Sequence, residues 1–66
     1  MNRELAVGDV VRVSQEDSSC YDDIGEVESM LPGAIGVRIV QEESAWRGQL
    51  VYFNAGQLEL IELRKV

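Results

Sequence analysis

Leu31-Pro32-Gly33-Ala34-Ile35-Gly36-Val37-Arg38-Ile39-Val40 is the stretch on which the fold turns. Ile35, Val37 and Ile39 share one phase of a two-residue period, and Ala34, Gly36, Arg38 and Val40 share the other. Side chains alternate across a strand, so this pattern reads as a half-buried β-strand. Leu31-Pro32-Gly33 in front of it reads as a turn. Proline at the first central position and glycine at the second fit type II. Before the turn, Ile24-Gly25-Glu26-Val27-Glu28-Ser29-Met30 alternates as well, with Val27 and Ser29 set against Glu26, Glu28 and Met30. Gly25 there predicts a bulge or a close approach to a neighbour.

Working outward, residues 7–13 place Val11 and Val13 on either side of Arg12, fed by a turn at Gly8-Asp9. Residues 14–23 are polar and rich in turn formers, so they read as a loop in which Tyr21 packs over the rim and Cys20 is exposed. On the other side, residues 41–48 form a polar loop that holds Trp46. Residues 49–53 form a strand with Val51 and Phe53 inward and Tyr52 outward. Residues 54–57 suit one 3₁₀ turn. Residues 58–63 read as a last strand, with a helix over 57–65 as the competing reading, since Leu, Glu, Arg and Lys favour helices. Arg64-Lys65-Val66 is a tail. Five short strands joined by a long loop, a tight turn, a hairpin loop and a one-turn 3₁₀ connection predict an all-β, five-stranded SH3-like barrel. Residues 1–66 make one domain.

Composition narrows the function. A 66-residue chain of 7.4 kDa buries only roughly 60% of the surface its unfolded form exposes. A barrel, or docking onto a larger partner, answers that thin margin. No apolar run approaches the length of a membrane span, and no basic-then-apolar leader is visible. The expected location is therefore cytoplasmic, or the cytoplasmic or stromal face of a membrane complex. The sequence has no histidine and one cysteine, which argues against zinc chemistry, imidazole catalysis and a disulfide framework. The net charge of −6 argues against nucleic acid as the default partner. The glycines form no phosphate-binding motif. The expectation is no catalytic residues, no cofactor and no metal.

The motifs Val7-Gly8-Asp9-Val10-Val11-Arg12-Val13, Tyr21-x-x-x-Gly25-x-Val27, Trp46 and Val51-x-Phe53-x-x-x-x-Leu58-Glu59 resemble a family of small SH3-like proteins of photosynthetic complexes. Its members include the S subunit of the NADH dehydrogenase-like complex, the small SH3-like subunit of photosystem I and the variable chain of ferredoxin–thioredoxin reductase. The resemblance covers about residues 7–60 and implies a docking subunit of an electron-transfer assembly. It departs where the family's surface is basic. Asn54 stands where arginine commonly follows the fourth-strand phenylalanine, Arg47 alone keeps a charge near the corresponding loop, and the Trp46–Val51 spacing is one residue longer. The opening Gly8-Asp9-Val10-Val11-Arg12-Val13 and the later Gly25-x-Val27 also resemble KOW-type barrels, which implies an RNA- or ribosome-associated module as the alternative.

The main charge signal is acidic. Glu16, Asp17, Asp22, Asp23, Glu26 and Glu28 fall within residues 16–28 with no Lys or Arg among them. They read either as a docking face for a basic partner or as a solvated surface that keeps the chain soluble. Their spacing does not fit a calcium loop. Small acidic proteins can also mimic nucleic-acid charge. Trp46 and Tyr21 lie in the two loops where SH3-like barrels bind peptides. Each could instead cover the barrel end. The predicted partner-binding set is Tyr21, Asp22, Asp23, Glu26, Glu28, Trp46 and Arg47. The predicted partner is a protein with a basic or apolar docking surface, and membrane insertion is not expected.

Overall fold

The computed structural model describes residues 5–62. Its strands are β1 (Val10–Val13), β2 (Ile24–Leu31), β3 (Ala34–Ile39), β4 (Leu50–Phe53) and β5 (Leu58–Glu62), with one 3₁₀ turn at Ala55–Gln57 before β5. All pairings are antiparallel and the sheet order is β4-β3-β2-β1-β5. The helix considered for 57–65 does not form over its described part. The expected strand end at Leu63 and the tail 64–66 lie outside the described residues. Among the described residues no helix is long and apolar enough to cross a membrane.

β2 and β3 are joined by Pro32-Gly33 alone, with Gly33 at φ +74°. Positive φ at the second central residue is what a type II turn requires and what glycine supplies without strain. That turn pairs Leu31 with Ala34, Met30 with Ile35 and Ser29 with Gly36. Continued without a break, the same register would set Val27 opposite Arg38. Instead the register shifts between Val27 and Ser29, so that Val27 meets Val37 and Glu26 meets Arg38. A one-residue slip moves every side chain to the other face. The bulge at Glu28 therefore reconciles a turn-fixed register with a buried Val27.

Of the two readings of Gly25, the close approach is the one that holds. A Cβ there would fall 2.7 Å from the Arg38 carbonyl oxygen and collide with Val37. The bulge of the β2–β3 pair lies at Glu28 instead, and beyond it Ser29 leaves the face of Val27 to stand beside Gly36, which corrects the phase expected for Ser29.

The core is the inner face of this one sheet. Val11, Val13, Val27, Ile35, Val37, Ile39 and Phe53 form a single buried cluster with Cys20. Val11, Val13, Val37 and Ile39 are fully buried. A flat sheet cannot do this without a second layer, so the sheet must curl over its own inner face. Leu5, Val51 and Leu58 pack at the margin. β4 and β5 stand at the two ends of the sheet order and are not paired with each other.

At the start of β1 a turn over 6–9 is closed from both sides. The Asp9 N–H donates to the Ala6 carbonyl at 3.1 Å, and the Ala6 N–H donates to Asp9 Oδ2 at 2.9 Å. Gly8 sits at φ +98° within it. Asp9 is fully buried, a structural role that its place beside a turn glycine only hinted at.

Candidate functional site

The loops that hold the predicted site residues are tied into one rim at one end of the sheet. In the first loop, residues 14–23, the Asp22 N–H donates to the Val13 carbonyl and the Val13 N–H to the Asp23 carbonyl, so the loop's end runs along β1. Asp22 takes φ +71° there, the left-handed region that Asp tolerates better than most residues. In the second loop, residues 40–49, the N–H groups of Val40 and Gln41 both donate to the Ile24 carbonyl. Ser44 completes the join. Its hydroxyl donates to Asp23 Oδ2 and accepts the Trp46 N–H at 2.9 Å. Trp46 is thus positioned from Asp23 through one side chain, and it stays 39% exposed.

Two arginines bind the acids. Arg12 on β1 forms ion pairs with Asp22 and with Glu59 on β5. The hydrogen bonds to Glu59 and then Asp22 raise its pKa further, so its charge is permanent. Arg38 on β3 grips Glu28 with two hydrogen bonds, at 2.9 and 3.1 Å, and donates to the Gly48 carbonyl at 3.0 Å. The bond from Arg38 holds the Glu28 carboxyl below its ordinary 4.5. Glu26 is exposed on β2, opposite both Val10 and Arg38. Arg47 is exposed and makes no ion pair with a described residue.

Cys20 and Tyr21 exchange the places expected of them. Cys20 is 2% exposed and joins the core, while Tyr21 is 46% exposed. Successive turns cause the exchange. The Tyr21 N–H donates to the Ser18 carbonyl, the Asp23 N–H to the Cys20 carbonyl, and the Cys20 N–H to Ser18 Oγ. These turns aim residue 20 inward, and a small apolar thiol fits where a phenol would not. Burial, and then the nearby Asp23, raise the Cys20 pKa and keep the thiol protonated.

No protein-family model matches the chain, and no curated protein matches it.

The rim therefore joins Trp46 with Asp23 through Ser44, with Asp22 only as Asp23's neighbour in the chain, and with Glu28 through Arg38 and Gly48. Tyr21 lies in the same loop as the two aspartates. Glu26 stands on the outer face, one row below the bulge. The residues that the sequence missed are the connectors Ser44, Arg12 and Arg38. Arg38 had a signal, since it shares the outward phase of β3 while Glu26 and Glu28 sit on its hairpin partner. Ser44 had none, nor had the pairing of Arg12 with Glu59, because those partners are distant in sequence. The chemistry available is recognition. An exposed indole on a rim of carboxylates offers apolar contact and negative charge.

Proposed function

We propose that the chain is a non-enzymatic protein-docking module on an SH3-like barrel, acting as an accessory or regulatory subunit of a larger assembly. One observation carries this reading: Ser44 and the Ile24 carbonyl fasten the Trp46 loop to the acidic loop, yet the indole is left exposed. A solubilising surface has no need of a large aromatic side chain held in place at its rim. A preorganised aromatic on a polar rim is the usual anatomy of an interaction hot spot. The strand order and connection lengths support the barrel, and the family resemblance points to photosynthetic electron-transfer assemblies as the first place to look. The fitting partner presents an apolar socket flanked by basic residues.

The KOW-like reading gains no support from the arginines. Among the described residues, Arg12 and Arg38 are spent on carboxylates, and Arg47 by itself is too isolated to track a phosphate backbone.

The test is a pull-down from native lysate at low and physiological salt, followed by measured affinity for the purified partner. Trp46→Ala should weaken binding by about 2 kcal/mol or more, roughly thirtyfold. Glu26→Gln, which disturbs no described ion pair, should slow association at low salt and matter less at high salt. A Trp46→Ala effect below about 0.5 kcal/mol would refute the hot spot. Recovery of RNA or ribosomal particles in place of a protein complex would replace the docking reading by the KOW-like one.

A further inference from the structure

Among the described residues the sheet has two open ends, and they differ in charge. β5 reads Leu58-Glu59-Leu60-Ile61-Glu62, whereas β4 reads Leu50-Val51-Tyr52-Phe53 and carries none. An open strand presents unpaired backbone donors and acceptors, and charge is one of the ordinary means of blunting it. β4 lacks that protection.

Which of its backbone groups are open follows from the ladder. The Ile39 N–H donates to the Gln49 carbonyl at 3.0 Å, and the Gly48 N–H donates to the Ile39 carbonyl at 2.8 Å. Antiparallel partners alternate between bonded and non-bonded pairs. With Val37 opposite Val51 and Ile35 opposite Phe53, those two pairs are the bonded ones. The N–H and C=O groups of Leu50 and Tyr52 are left pointing off the sheet.

We infer that β4 pairs with β4 of a second copy of this chain, antiparallel and about a two-fold axis through Val51. That register sets Leu50 opposite the partner's Tyr52, and Tyr52 opposite the partner's Leu50, as two bonded pairs. All the outward-pointing groups of both strands are used, in four hydrogen bonds. Val51 meets its own copy between them. The side chains are complementary in this register. The Tyr52 ring, 52% exposed, lies across Gly36 on the outer face, where a Cβ on Gly36 would stand 3.0 Å from the ring and 3.5 Å from Leu50. The partner's Leu50 would cover the ring's open side, an aromatic–aliphatic cross-strand pair. Self-pairing of β5 would instead set two strands that each carry Glu59 alongside one another. The acids of residues 16–28 lie on or beside β1 and β2, two or more positions from β4 in the sheet order. Their long-range repulsion between two copies falls as salt rises. The pairing is short, so the dimer is weak and concentration-dependent.

The test is sedimentation of the full chain up to about 1 mM, combined with residue-resolved amide exchange at low and high concentration. The expected result is a dimer favoured by salt, with protection of the Leu50 and Tyr52 amides rising with concentration. The Val51 and Phe53 amides, already bonded to β3, should stay constant. Tyr52→Lys should abolish the dimer, and Tyr52→Phe should keep it. Trp46→Ala should leave it unchanged, which separates this outcome from the docking reading. A chain that stays monomeric throughout overturns the inference. So does a dimer in which the Leu50 and Tyr52 amides keep their monomer exchange rates. The wild-type exchange data decide the matter even where a variant fails to fold.

Discussion

The inner face of β1–β3 and the rim around Trp46 are held by different forces. The inner face is aliphatic, fully buried at Val11, Val13, Val37 and Ile39, and tight enough that Gly25 has no space for a methyl group. The rim is held by polar groups: Arg12 with Asp22 and Glu59, Arg38 with Glu28 and the Gly48 carbonyl, and Ser44 with Asp23. Apolar burial scales with area and is indifferent to moderate salt and pH. Exposed ion pairs are weak, screened and titratable. The comparison teaches that one small sheet can set its floor by apolar packing and its loop end by polar contacts that salt and pH weaken.

The most severe way to break the contrast is to overfill the floor. Gly25→Ala places a methyl group against the Arg38 carbonyl and Val37, where backbone must move. The expected loss is roughly 1–3 kcal/mol. In a chain this short that is a fall in melting temperature of roughly 4–8 °C per kcal/mol. A wild-type melting curve would show that the close approach is not a constraint.

The contrast sharpens at Cys20, which belongs to the floor but hangs from a rim loop. Arg12→Gln removes the side-chain tie of Asp22 to β1 and leaves only the backbone bonds at Val13, so the Cys20 thiol should react severalfold faster with an alkylating reagent while the melting temperature barely moves. Equal labelling rates in variant and wild type would mean that the turns at Ser18 and Cys20 hold the loop without Arg12.

The smallest effect concerns pH. Glu28 has a native pKa below its ordinary 4.5. Its contribution to stability is therefore complete above that value and is lost as pH falls through the lower native one. Melting temperatures followed from about pH 6 to about pH 3 should fall less steeply for Glu28→Gln than for wild type. Parallel slopes would assign the acid sensitivity to other carboxylates.

Most strands were legible because their signals are local. The period in Ala34–Ile39, the Pro32-Gly33 turn and the outward Tyr52 all appear in the structure where the pattern places them. The bulge was only half legible. Gly25 correctly signalled a close approach, while the one-residue conflict between the turn register and the pairing of Val27 with Val37, which puts the bulge at Glu28, had no residue to mark it. The rim was legible as a set of residue types and not as an arrangement. Nothing local links Ser44 to Asp23, or Arg12 to Glu59, and the exchange of Cys20 with Tyr21 depends on turns whose direction a polar loop does not announce.

The sequence by itself determined the strands, the inward phases of β1, β3 and β4, the tight β2–β3 turn and the surplus of acid. Those follow from short-range sterics and from the two-residue period of a pleated chain. The tertiary structure alone decided which acids stay unpaired, which aromatic rings reach solvent, and which backbone groups of β4 remain open. Each of those depends on what is brought alongside by curling the sheet, and neighbours across a sheet are set by register and closure rather than by distance along the chain.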